Sequence, residues 1–455
     1  MIPSKRKLAV MIAGITGCLL TQPAFSANWL MLQGTEAAKQ GEAPRAHLWG
    51  FIQAQYQHDT SDPNSTNAYI PPKLIGPNLT SQEAFNVNRA RIGVRGTGLP
   101  LDAKVNYFIL AEFGNNGITA PDNRSATLTD ASVTLNHIPG ARIRIGQFKY
   151  PGAEEGLQAI HVFDYINFTA VTNQLLLERF PNNTYTDNVA PQTLPPGESL
   201  NAFNKSVGAF RDTGVQVFDT FKANNWEHSY AVMLGNGNGL NFSDNDDNKD
   251  LYLYWSSELV FGGKGGRREG LKLFAWNQSG KRQLDNTNDS IHNPQEYDRD
   301  RTGLGIKYLK KPFRVSAEYM MGEGMIFVGP DKPTFDINPA VDGGNGENGE
   351  ADGYYVEAGW YIPNTNWEID LRYDVYNRLT NDVAFTAGPN LGRTFEMQYS
   401  GVTLGTQYHF NKKTRINAEA AFNQAEAVDW PSGAGPNDNL DGIDTRYAIQ
   451  VTHIF

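Results

Sequence analysis

The residues with most chemistry to offer are arginines spaced two apart. Arg89 and Arg91 alternate with Ala90 and Ile92, and Arg95 follows Val94 in the same stretch. Arg142 and Arg144 alternate with Ile143 and Ile145. Side chains two apart share one face of a strand, so each set reads as a cationic row backed by an apolar one. Lys104 stands across a short hairpin from Arg95 and extends the row into a basic wall. Such a wall attracts anions and orients polar solutes. The same arginines could instead pair with carboxylates such as Glu112 and Asp130 and simply brace the structure. Downstream, Glu154, Glu155 and Asp164 fall in the long interval from Tyr150 to Phe210, where they could oppose the wall and create a transverse field.

Little in the chain points to catalysis. The eight histidines are scattered, with no HExxH spacing and no evident pairing with a nucleophile and a carboxylate. Phosphate-binding and dinucleotide-binding glycine signatures are missing as well. Asp244 to Asp250 alternates oxygen donors but lacks the glycine and the distal glutamate of a calcium loop, so it reads as a solvated acidic loop. No catalytic residue, cofactor or metal is assigned. A formal net charge of −10 makes a nucleic-acid partner a poor fit.

The positioning elements begin with export. Lys5, Arg6 and Lys7 precede an apolar run from Leu8 to Leu20, and Ala24-Phe25-Ser26 offers the small residues of a cleavage site. Residues 1–26 are therefore read as a signal peptide, 27–44 as an N-terminal periplasmic segment and 45–455 as one outer-membrane barrel. Cys18 is the only cysteine and lies within the signal, so no disulfide or thiol chemistry is expected. Ile15-Thr16-Gly17-Cys18 loosely matches a lipoprotein box, but the apolar run continues past it.

Period-two alternation predicts sixteen strands. They fall near 47–58, 85–97, 103–113, 127–136, 141–149, 211–221, 225–235, 250–261, 269–278, 301–309, 313–322, 353–361, 366–377, 397–410, 414–424 and 445–455. Short connections such as His137-Ile138-Pro139-Gly140 and Asn411-Lys412-Lys413 alternate with long polar ones. That is the order of periplasmic turns and extracellular loops in an outer-membrane barrel. Within 366–377, Trp367, Ile369, Leu371 and Tyr373 share one face, with Glu368, Asp370, Arg372 and Asp374 on the other. An arginine facing lipid at mid-depth costs about 2–4 kcal/mol, so the charged faces must point inward, where water can reach them. The third loop, 150–210, is too long for a plain connection and carries apolar runs at 160–166 and 175–177. It is expected to fold into the pore and narrow it; an outward lid or a subunit contact is the alternative.

Tyr447, Ile449, Val451 and Phe455 share one face of the last strand, ending on an aromatic carboxylate. This resembles the C-terminal signature that barrel-assembly machinery reads. The outer surface is expected to meet lipid and lipopolysaccharide.

Arg89-Ala90-Arg91-Ile92-Gly93-Val94-Arg95-Gly96, Thr129-Asp130-Ala131-Ser132-Val133 and Arg142-Ile143-Arg144-Ile145-Gly146-Gln147-Phe148-Lys149-Tyr150-Pro151 together resemble the phosphate-selective porins O and P. Leu177-Glu178-Arg179-Phe180 and Gly235-Asn236-Gly237-Asn238-Gly239 add to the likeness, which is strongest over 85–240. The resemblance implies a sixteen-stranded homotrimeric porin with an inward third loop, passing small hydrophilic or anionic solutes by passive diffusion. Lysines are sparse along the route and the outer loops are acidic, which points to a general anion preference more than to phosphate alone. The competing class is a structural or adhesive barrel closed by the third loop, which would give no steady conductance steps.

Overall fold

The computed structural model describes residues 29–32, 46–61, 83–98, 102–119, 126–177, 179–181, 203–206, 208–240, 244, 246–263, 266–284, 295–326, 349–384, 386, 388–394, 396–434 and 437–455. The signal-peptide reading of 1–26 lies outside them, as do most of the longest outer loops.

Among the described residues eighteen strands follow in chain order. These are β1 His47–Asp59, β2 Glu83–Gly98, β3 Asp102–Glu112, β4 Thr127–Leu135, β5 Arg142–Lys149, β6 Arg179–Pro181, β7 Phe203–Ser206, β8 Arg211–Ala223 and β9 Trp226–Gly235. The chain continues with β10 Asp250–Gly262, β11 Glu269–Leu284, β12 Gln295–Lys310, β13 Phe313–Glu323, β14 Glu350–Tyr361, β15 Trp367–Arg378, β16 Met397–His409, β17 Thr414–Ala427 and β18 Thr445–Ile454. All but β6 and β7, which pair with each other inside the third loop, form one closed antiparallel barrel of sixteen strands. Barrel strands pair with their chain neighbours, β5 skips to β8, and β1 meets β18 to close the ring. Among the described residues no helix is long and apolar enough to cross a membrane.

Closure follows from alternation. On β15, Trp367, Ile369, Leu371 and Tyr373 are exposed while Glu368, Asp370, Arg372 and Asp374 are buried. The apolar set therefore faces outward and the charged set faces the lumen, as lipid requires. At the seam, the Phe455 amide donates to the Gly50 carbonyl at 3.0 Å, and the Gly50 amide donates back at 3.3 Å. A Cβ at Gly50 would lie 2.4 Å from the Phe455 ring and from the Arg91 carbonyl oxygen, so only glycine lets the terminal ring settle there. Tyr447, Ile449, Val451 and Phe455 all stand on the outer face.

Two departures from the expected strands have plain causes. β11 and β12 run past 278 and begin before 301, forming a hairpin in which Lys281 meets Glu296 at 3.1 Å. Both faces are polar there, so no apolar alternation marks the extension. The β1–β2 register shifts between Gln53 and Ala54, where Val87 opposes Ala54 and Arg89 opposes Gln53. The extra residue of this bulge leaves Asn88 and Arg89 both buried.

The segment read as a periplasmic arm is described only at Trp29–Leu32. It forms a helical turn whose Trp29, Leu30 and Met31 are buried inside the barrel.

A lumen crossed by the third loop

The third loop turns inward directly after β5. Glu154–Leu157 forms one helical turn, Ile160–Val162 a 3-10 turn and Thr172–Leu176 a π-turn. Leu157, Phe163, Phe168, Val171 and Leu175–Leu177 are buried against inward-facing aromatics and methionines, including Phe218, Met233, Trp276, Met320, Tyr355 and Tyr376. This apolar seat on the inner wall drives the loop out of solvent. Gly156 packs beneath Phe210, whose ring would lie 2.6 Å from a Cβ there.

A buried loop must find partners for its peptide groups, and here the lumen side chains provide them. Lys149 donates to the carbonyls of Gly156 and Gln158, each at 2.7 Å. Arg301 donates to the Leu175 carbonyl at 3.1 Å, Arg372 to that of Asn167 at 2.8 Å, and Arg415 to that of Phe163. In return, the amides of Ile166 and Ala170 donate to Glu419 at 2.9 Å and Asp374 at 2.8 Å. The loop thus crosses the bore from β5 to β17. Its Val162 carbonyl also accepts a bond from Arg267, in the turn between β10 and β11.

The loop carboxylates do not oppose the basic wall. Glu154 pairs with Lys272 on β11 and with Lys307 on β12, the latter at 3.1 Å. Glu155 lies 3.7 Å from Arg372 on β15 and accepts from the Thr169 hydroxyl at 2.6 Å. Asp164 pairs with Arg267 and, at 3.1 Å, with Arg314 on β13. All three reach the opposite side of the barrel, where cations are already placed to meet them. In place of the expected field between loop acids and basic wall there is a set of neutralised pairs. Burial alone would raise the Glu154 carboxyl, but Lys272 and Lys307 outweigh it and hold its pKa down to about 2.

The basic wall is present in part. Arg89, Arg91 and Arg144 are buried on the inner face. Arg89 donates to Gln53 at 3.2 Å, and Arg91 meets Glu112 at 2.6 Å, which is the bracing arrangement. Arg91 and Arg95 lie over the rings of Phe51 and Trp49 at 5.7 and 5.9 Å. Arg144 lies 4.5 Å from the centre of the Phe218 ring, and Arg142 is 3.4 Å from Asp219. Lys104 does not join Arg95: Arg95 pairs with Phe108, and Lys104 stays exposed at the short-turn end beside Asp102 and His137. Lys149 and Arg211 complete the wall but escaped sequence reading, although Lys149 continues the Arg142–Arg144 neighbourhood. The loop meets this wall with neutral groups. His161 packs 5.0 Å from Phe51, and its pKa falls to about 3 through burial and then the neighbouring Arg415, Arg91, Lys149 and Arg95.

Beside the loop, on the β15–β18 side, an open cleft of about 580 Å³ remains, lined by Asn167, Asn173, Arg372, Asp374, Asn423 and Arg446. Among the described residues no cluster of three metal-ligating side chains occurs. Asp250 faces Arg282 at 3.0 Å, and Lys249 faces Asp244 at 3.3 Å.

Residues 75–427 of this chain, which folds as a closed sixteen-strand barrel, match the family of phosphate-selective porin O and P. The chain belongs to that family. It is an outer-membrane porin, a non-enzymatic channel through which solutes diffuse. Comparison with curated proteins gives no match. Among solved structures, the porin is similar to OmpT of Vibrio cholerae, at 11% identity over 92% of this chain and 100% of the other, with a TM-score of 0.49. It is also similar to the DcaP channel of Acinetobacter baumannii, at 13% identity over 92% and 99% of the two chains and a TM-score of 0.49. OmpF of Salmonella typhi, in complex with daunomycin, shares 14% identity over 90% and 97%, again with a TM-score of 0.49.

Proposed function

We propose that this porin passes small hydrophilic solutes along the cleft beside its third loop, with a preference for anions. The observation that carries the preference is the company kept by His161: Arg91 and Arg95 lie over Phe51 and Trp49, the rings it packs against, Arg415 donates to its carbonyl at 3.4 Å, and Lys149 donates to the nearby Gln158 carbonyl at 2.7 Å. Fixed cations beside a narrow passage lower the barrier for anions and raise it for cations. Arg91–Glu112 and Arg211–Asp130 temper that field by pairing. A general anion preference, with phosphate as one member of the class, fits this balance better than a phosphate-only path. We further propose that residues 1–26 are a removed signal peptide, that the outward Tyr447, Ile449, Val451 and Phe455 serve recognition by assembly machinery, and that the porin is a homotrimer. The solved OmpT of Vibrio cholerae includes a trimer form. Reversal potentials in a salt gradient, with chloride and then phosphate as the anion, test the preference. An anion-selective potential in both salts supports it; a cation-selective potential in both contradicts it.

A further inference from the structure

The four residues Trp29–Leu32 stand apart from the barrel strands, yet three of their side chains are buried. Leu30 is 1% exposed, Met31 3% and Trp29 6%. Trp29 sits over Gly266, in the short turn between β10 and β11, so it lies at the periplasmic end of the bore. A Cβ at Gly266 would come within 2.5 Å of the indole ring, so the turn is shaped to receive that ring. On the other side, the Lys307 ammonium lies 5.9 Å from the centre of the indole. Lys307 is also a partner of Glu154 on the third loop, at 3.1 Å. One lysine therefore touches both the constriction loop and the N-terminal segment. A small crevice beside the indole is lined by Trp29, Glu258, Arg268, Lys272 and Lys307.

We propose that Trp29–Leu32 is a tethered plug that closes the periplasmic mouth beneath the third loop and gates the porin by leaving it. The apolar side chains hold the plug in place by burial. Because the segment belongs to the same chain, its return is intramolecular and needs no partner. While docked, the indole covers Lys307 from the periplasmic side. When it departs, the mouth beneath Lys307 and Lys272 opens to water while both lysines keep their pairing with Glu154.

Two independent variants test this in planar bilayers. Trp29→Ser/Leu30→Ser/Met31→Ser removes the apolar contacts, and Gly266→Leu fills the place of the indole while leaving the segment intact. Heat-modifiable mobility on gels verifies that each barrel is folded. Both variants are expected to lose brief closures and to raise the mean current per channel roughly twofold. Wild-type step size and closed times in both variants would overturn the plug. So would a change in Gly266→Leu alone, which would trace the effect to the turn.

Discussion

Lys307 on β12 holds the Glu154 carboxylate of the third loop at 3.1 Å, and Lys272 on β11 meets the same carboxylate. All three side chains sit on the lumen side, so the loop is latched to the wall opposite its origin at β5. The latch turns a long connection into a fixed crosspiece.

Breaking the latch should be costly. Glu154→Gln leaves the buried Lys272 and the half-buried Lys307 without their counter-charge, and loss of one partner from a buried pair costs about 3–5 kcal/mol. The variant is expected to unfold at a lower temperature, as heat-modifiable mobility would record, and to show noisier current. Wild-type melting and quiet traces would deny the latch any part in holding the loop.

The latch should also resist acid. The folded pKa of Glu154, about 2, lies below its ordinary value of 4.5. With the folded value depressed, the stabilisation is complete above the ordinary value and shrinks as pH falls toward the folded one. The stability gap between wild type and Glu154→Gln should therefore stay constant from neutral pH down to about 4.5 and narrow below it. A gap that closes well above that range contradicts the pairing.

His161 should be silent in the usual histidine range. Its pKa of about 3 keeps the ring neutral where an ordinary imidazole, at 6.5, would charge. Selectivity profiles of wild type and His161→Asn should superimpose between about pH 5 and 8. A wild-type anion preference that grows near 6.5 and vanishes in the variant would mean that the basic surroundings do not act as described.

The sequence carried the barrel almost whole. Each strand was legible because lipid on one side and lumen on the other force alternation, as in Trp367 to Asp374. The third loop was visible from its length and apolar runs. Its destination was not. The carboxylates at 154, 155 and 164 suit Arg89 and Arg91 by sign alone, and charge cannot say which wall a crossing loop will meet. The seat that decides it, including Met233, Trp276 and Met320, puts apolar side chains on the inner face, where alternation alone assigns polar ones. The burial of Trp29 was equally hidden, since a four-residue apolar segment before the first strand has no period to read.

The seam offers a check on closure. Gly50→Val would force its side chain into the Phe455 ring and the Arg91 carbonyl. The folded fraction recovered from outer membranes should fall sharply, while Phe455→Leu, a smaller ring-free side chain, should be milder. Equal recovery of Gly50→Val and wild type would show that the terminal ring is not needed at that place.

Whether the basic wall faces the path can be read from Arg89→Ala/Arg91→Ala. The reversal potential should move toward cations. An unmoved potential would place the wall away from the solute route, acting only as bracing through Glu112.

Replacing residues 156–200 with a short glycine-serine linker and recording single-channel conductance is the most direct test of a channel narrowed by its third loop. The inward crossing predicts a conductance at least roughly double that of wild type. A truncated barrel that conducts no better than the intact protein would contradict it.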